Sequence, residues 1–216
     1  MSFEMNSSDY VAYLQKAAGK IRENGEYISR LDGETGDGDH WANINLGFEN
    51  LVAAADELSQ LPMDEAFKKI GMIMMSKIGG SSGVLYGGAY IAAAKALKGK
   101  SVFSPEDICL ALKTMSKDMC QRGKAEPGFK TMIDALHPAV TVYEESLKEG
   151  KPLTEMMKDV KQAAVAGAES TRDMEAVKGR ASYRNDKGVG HLDPGAVTMS
   201  YQLECLCDYI TERFGE

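Results

Sequence analysis

An all-α fold is predicted for this chain on three observations. Apolar residues recur at three- and four-residue spacing almost from end to end, the mark of amphipathic helices. Alternating β-branched runs bounded by turns, the mark of strands, are absent. Helix-start signals stand directly ahead of two of the periodic stretches.

In chain order, Val11, Leu14, Ala18 and Ile21 form a first stripe that continues toward Ile28 and Leu31. Ile44, Phe48, Leu51 and Val52 form a second, and Phe67, Ile70, Met74 and Ile78 a third. Gly83 to Leu97 is rich in small residues, which suits close helix contact. Ser104-Pro105-Glu106-Asp107 combines a capping Ser, Pro at the first helical position and acids in the first turn. Ile108, Leu112, Met115 and Met119 follow as its stripe. Met132 to Lys148 reads as a helix bent near Pro138. Thr154 to about Met174 is a long helix with Met156, Val160, Ala163 and Gly167 on one side. Asp193-Pro194 opens the last, turning Met199, Leu203, Leu206 and Ile210 inward. About eight helices result. The thirteen methionines fall mostly on these stripes and read as core filler.

At 216 residues the chain is expected to be one domain spanning 1–216. A net charge of −7 argues against nucleic acid and anionic membrane surfaces as partners, since both attract basic faces. No run of apolar residues is long enough for a membrane span, and the N-terminus lacks the basic-then-apolar pattern of a signal peptide. Cys109, Cys120, Cys205 and Cys207 form no CxxC pair and read as reduced thiols rather than disulfides or zinc ligands. A cytoplasmic location is the expectation.

Four stretches outside the helical periodicity carry the candidate chemistry: 31–43, 78–83, 122–131 and 178–195. The first places Asp32, Asp37 and Asp39 within eight residues, with His40 and Asn43 just after. Carboxylates crowded in this way repel one another unless a cation lies between them, and Mg²⁺ and Ca²⁺ take oxygen ligands. An acidic, solvated turn is the alternative. The second, Ile78-Gly-Gly-Ser-Ser-Gly83, leads into a helix and offers an anion the free N–H groups of a helix start plus the Ser81 and Ser82 hydroxyls. A plain helix cap explains it equally well, and it is not the GxxxxGK[ST] loop. The third, Arg122 to Thr131, holds three cations and is either a polar connector or a wall of a nucleotide pocket. In the fourth, Arg180 is suited to hold a phosphate bidentately, while Asp193 and His191 serve either the site or a helix cap. His191 has no Ser or Cys nucleophile motif beside it and forms no triad. Together, carboxylates, an anion loop and fixed cations suit phosphoryl transfer.

These stretches also carry a family resemblance. Leu31-Asp32 before GDGDH (36–40), GGSSG-x-LYG (79–87), RGKAxxGxKTM (122–132), GRASY (179–183) and GHxDPGA (190–196) are similar, in order and spacing, to the nucleotide-binding L subunit of dihydroxyacetone kinase. The similarity runs from about Tyr10 to Tyr209. It implies an antiparallel barrel of eight amphipathic helices with the nucleotide in loops at one end. It implies Mg²⁺, commonly a pair, on Asp32, Asp37 and Asp39, and ADP or ATP against His40, Trp41, Ala42, Asn43, Ser81, Ser82, Gly123, Thr131, Met132, Arg180, Asp193, Pro194 and Gly195. The implied partners are a separate K subunit holding dihydroxyacetone, and a phosphotransferase-system M subunit that recharges the bound nucleotide from phosphoenolpyruvate. A kinase subunit for another short sugar, such as a four-carbon ketose, and a nucleotide-dependent module contacting a transcription regulator are the competing readings. Oligomeric state, a homodimer included, is left open. Two positions depart from the family: Trp41, where Gly is common after GDGDH and where an indole could stack on a base or partner, and Phe129, where Asp is common.

Overall fold

The computed structural model describes residues 3–215. Its helices are α1 (Ser7–Glu23), α2 (Gly25–Thr35), α3 (His40–Ala53), α4 (Ala55–Ser59), α5 (Met63–Lys77), α6 (Gly80–Ala96), α7 (Pro105–Gly123), α8 (Ile133–Glu149), α9 (Leu153–Ser170) and α10 (Pro194–Phe214). No strand occurs among the described residues; an isolated antiparallel bridge joins Met5 to Phe103.

Eight of the helices close a ring. Packing runs α1 to α3, α3 to α5, then α6, α7, α8, α9 and α10 in turn, and α10 returns to α1. The expected eight-helix barrel is this ring; α2 and α4 are additional short helices. The chain crosses between ring helices alternately at the two ends. The α2–α3, α5–α6, α7–α8 and α9–α10 connections share one end, where the site lies. Opposite them, Tyr10, Phe67, Tyr90 and Phe103 make edge-on and tilted aromatic contacts, and the Met5–Phe103 backbone pair ties down the segment before α1.

The starts predicted from sequence use the groups expected. Ser104 and Asp107 form a reciprocal capping box with Pro105 inside the first turn, and the Asp193 carboxylate accepts from Ala196 N at 2.7 Å. Small residues let α5 and α6 touch: a Cβ on Gly87 would lie 2.7 Å from the Gly71 carbonyl oxygen and 2.6 Å from Met75 Cβ. Among the described residues no helix is long and apolar enough to cross a membrane, and the four cysteines are free.

Several boundaries differ from the sequence reading. The stripe from Val11 to Leu31 is two helices, because Asn24 leaves helical geometry and its side-chain amide takes the Lys20 carbonyl at 2.8 Å. Asp32 lies within α2 and α3 starts at His40, so the first loop shrinks to residues 36–39. Val52 is exposed, as are Met72 and Met75 against the core-filler reading; the α5 face bearing the two methionines points outward. Ala163 is only half-buried, and Ala164 takes its place inside.

Candidate functional site

One cavity of about 390 Å³ opens where the four connections meet. Asp32, Asp37 and Asp39 each place a carboxylate oxygen within 4.8 Å of the others. The buried member, Asp32, accepts from the His40 backbone N–H at 2.9 Å. One carboxylate thereby grips the start of α3 from the end of α2, folding the acidic turn back on itself. Asp37 and Asp39 are exposed; Asp37 meets the Arg180 guanidinium at 2.5 Å. Three hard oxygen donors converging from two helix ends fit a divalent cation.

The start of α6 forms the facing wall through Gly79, Gly80, Ser81 and Ser82. No side chain caps this helix, and its first turn holds no acid, so its N–H groups and positive dipole end are uncompensated. A Cβ on Gly79 would fall 2.6 Å from Asn43 Oδ1, so a side chain there would displace the Asn43 amide. Leu85, Met119, Ala125, Met132 and Ile133 supply an apolar side. The cavity thus offers carboxylates for a cation, helix N–H groups and a guanidinium for phosphates, and apolar surface for a base.

Of the residues grouped by the resemblance, His40, Asn43, Ser81, Ser82, Gly123, Thr131, Met132, Arg180, Asp193, Pro194 and Gly195 all line this cavity. Trp41 and Ala42 do not, a correction to the reading of Trp41 as a stacking surface. A helix turns successive side chains about its axis, so Trp41 faces α1. Its indole N–H donates to the Ile21 carbonyl at 3.2 Å, and a Cβ on Gly25 would lie 2.6 Å from its ring. Ala42 points to solvent. Phe129 packs against the core and does not line the cavity.

Three supporting residues escaped the sequence reading. Buried Asp134 accepts from the Thr131 backbone N–H at 2.7 Å and from that of Gly128, fixing the turn that carries Thr131 and Met132. Its signal was local: an acid in the first turn of a helix, three residues after a threonine. Thr198, fully buried on α10, sits 2.9 Å from His40 Nε2. Thr35 lines the floor of the cavity. Burial lowers the His40 pKa, with Asp32 and Asp39 opposing, so the neutral ring is favoured.

Loss of solvation pushes the Asp193 carboxyl up to about 7, against the opposing pull of the Ala196 N–H and Lys130. The sign follows from linkage. The fold prefers protonated Asp193, so its contribution is favourable at acid pH and is lost as pH rises from the ordinary carboxylate range through 7. Asp193→Asn keeps an acceptor for Ala196 and cannot ionise. Urea unfolding of metal-free protein is expected to give equal stability for variant and wild type near pH 4. Above pH 7 the variant should gain roughly 2–4 kcal/mol. A stability difference independent of pH would count against this.

Comparison with known proteins gives a consistent picture. Residues 34–208 match the DAK2 domain. The chain is 32% identical over 202 residues to the PEP-dependent dihydroxyacetone kinase, ADP-binding subunit DhaL of Escherichia coli, covering 94% of this chain and 96% of that one. It is 36% identical to the PTS-dependent dihydroxyacetone kinase, ADP-binding subunit DhaL of Lactococcus lactis, covering 93% and 96%. Among solved structures, the dihydroxyacetone kinase of C. freundii in complex with AMP-PNP and Mg²⁺ superposes with a TM-score of 0.71 at 27% identity. That match covers 92% of this chain but 33% of the larger one.

Proposed function

We propose, from the premise that this chain belongs to the DAK2 domain family, that it is the ADP-binding subunit of a dihydroxyacetone kinase. It spans nearly the whole length of the bacterial DhaL subunits it matches, whereas in the C. freundii kinase the matched region is one part of a longer chain. The observation that carries the reading is the convergence, in one cavity, of the three-aspartate cluster, the uncapped start of α6 and Arg180. Asp32, Asp37 and Asp39 would hold Mg²⁺, whose chemistry is to neutralise charge on phosphate oxygens. Ser81, Ser82 and Arg180 bind and orient the phosphates, and the Leu85–Met132 side takes the base.

Phosphate then passes from the bound nucleotide to dihydroxyacetone on a separate K subunit, and a phosphoenolpyruvate-dependent phosphotransferase protein recharges the nucleotide. The names of the E. coli and L. lactis relatives support this route. Calorimetric titration with ADP is expected to show tight binding with Mg²⁺ and none with EDTA. Purified chain mixed with a K subunit, dihydroxyacetone and either ATP or the phosphoenolpyruvate relay should form product with the relay. ADP binding indifferent to EDTA would sink the metal assignment; product formed from ATP alone would sink the relay.

A further inference from the structure

We propose that Lys130 is a positioning residue: its ammonium pins the neck of the 171–191 loop and so sets how long a nucleotide stays in the cavity. The second half rests on the reading that this cavity takes Mg·ADP. Lysine is rarely buried without partners, yet Lys130 is 2% exposed. Its backbone adopts φ 61°, a left-handed conformation that side-chain-bearing residues seldom take. Both features bring Nζ to two backbone carbonyls, those of Thr171 and His191.

These carbonyls belong to the two ends of one segment. Its interior, Lys178 to Ala181, lines the cavity, while its ends meet at a single ammonium, helped by the Gly190 N–H to the Arg172 carbonyl at 2.8 Å. A compact loop closed at its neck is an Ω-loop. Further ties are the Asp193 N–H to the Thr171 hydroxyl at 3.0 Å, Arg172 to Glu169, Arg180 to Asp37, His191 to Glu34 and Val177 N–H to the Phe129 carbonyl. The three ion pairs are solvent-exposed or half-exposed and hold weakly. The buried, charged hydrogen bonds of Lys130 are the strong ones. Of the three cations in the 122–131 stretch, Lys130 alone lines the cavity; Arg122 pairs with Asp118, and Lys124 is exposed. On this proposal a nucleotide leaves when the loop opens, and opening about its neck breaks the Lys130 bonds.

Lys130→Met keeps the length and apolar stem of the side chain and removes the ammonium. In protein free of metal and nucleotide, trypsin should cut the variant at Arg172, Lys178, Arg180, Arg184 or Lys187 roughly tenfold faster or more, the equivalent of one charged hydrogen bond. With Mg²⁺ present, dissociation of a fluorescent ADP analogue should speed up by a similar factor at an unchanged association rate, a split that a loss of folded protein does not produce. Wild-type rates in both assays overturn the proposal. Faster proteolysis with unchanged dissociation overturns its second half, leaving the pin a part of the fold only. Should the variant fail to fold, reductive methylation of wild type decides: Lys130 labelled as fast as exposed Lys124 overturns the pin, and labelling roughly a hundredfold slower supports it. Wild type that takes up no Mg·ADP overturns the function reading instead, and trypsin still judges the pin.

Discussion

Asp37→Ala is expected to abolish magnesium-dependent ADP binding, a loss of roughly a hundredfold or more in affinity. Asp37 is more informative than Asp32 because its side chain does less for the fold. It is exposed and meets only Arg180, whereas Asp32 is buried and holds the start of α3 through His40. Removing Asp32 would confound a lost ligand with an unanchored helix. Removing Asp37 takes away one of three converging oxygens and leaves the guanidinium without its carboxylate partner. The variant should therefore melt like wild type when both are metal-free, since exposed ion pairs contribute little, and should differ sharply once Mg²⁺ and ADP are added. EDTA treatment of wild type should reproduce the binding defect. An affinity for Mg·ADP within about threefold of wild type would remove Asp37 from the metal site.

Gly167→Ala should unfold the protein more easily by roughly 3 kcal/mol. Pro138 has no N–H for the carbonyl four residues back, so the Asp134 carbonyl lacks its usual helical donor. The backbone of α9 closes on that point: a Cβ at Gly167 would stand 2.1 Å from the Asp134 oxygen and 2.9 Å from Pro138 Cγ. Neither neighbour is the end of a flexible side chain, so one helix must move. Because the Asp134 carboxylate also holds the Thr131 turn, the displacement reaches the cavity and should weaken ADP binding as well. Gly19→Ala is the matched control. It lies inside α1 with nothing within 4 Å of the added methyl, and should stabilise by roughly 0.5–1 kcal/mol. Urea midpoints moving in opposite directions are the expected result; two similar shifts would refute the steric account.

Much of this was legible in the sequence, for physical reasons that can be named. Helical periodicity is local, so the stripes headed by Ile108 and Met199 and the starts at Ser104 and Asp193 could be placed directly. The aspartate cluster was legible because its members are near in sequence. The break at Asn24 was passed over because the apolar stripe runs on across the turn-favouring Asn24-Gly25 pair to Ile28 and Leu31, and periodicity alone does not show the Asn24 amide donating to the Lys20 carbonyl. Trp41 was misplaced for a similar reason. Its neighbours His40 and Asn43 line the cavity, and only the rotation of α3 against α1 turns the indole the other way. Lys130 and Thr198 depend on partners 41 to 158 residues distant, a separation that no local pattern encodes.

The glycine contact between α5 and α6 bears on how ligand and fold are thermodynamically joined. Gly83, Gly87 and Gly88 each weaken α6 as an isolated helix by roughly 1 kcal/mol relative to alanine, so its helical form depends on the neighbours packed against it. The uncapped N–H groups facing the cavity therefore exist only in the assembled ring, and the denatured chain has no counterpart to them. A phosphate-bearing ligand then has one state to bind. Nearly all of its binding free energy is returned as resistance to unfolding, rising with the logarithm of its concentration above Kd.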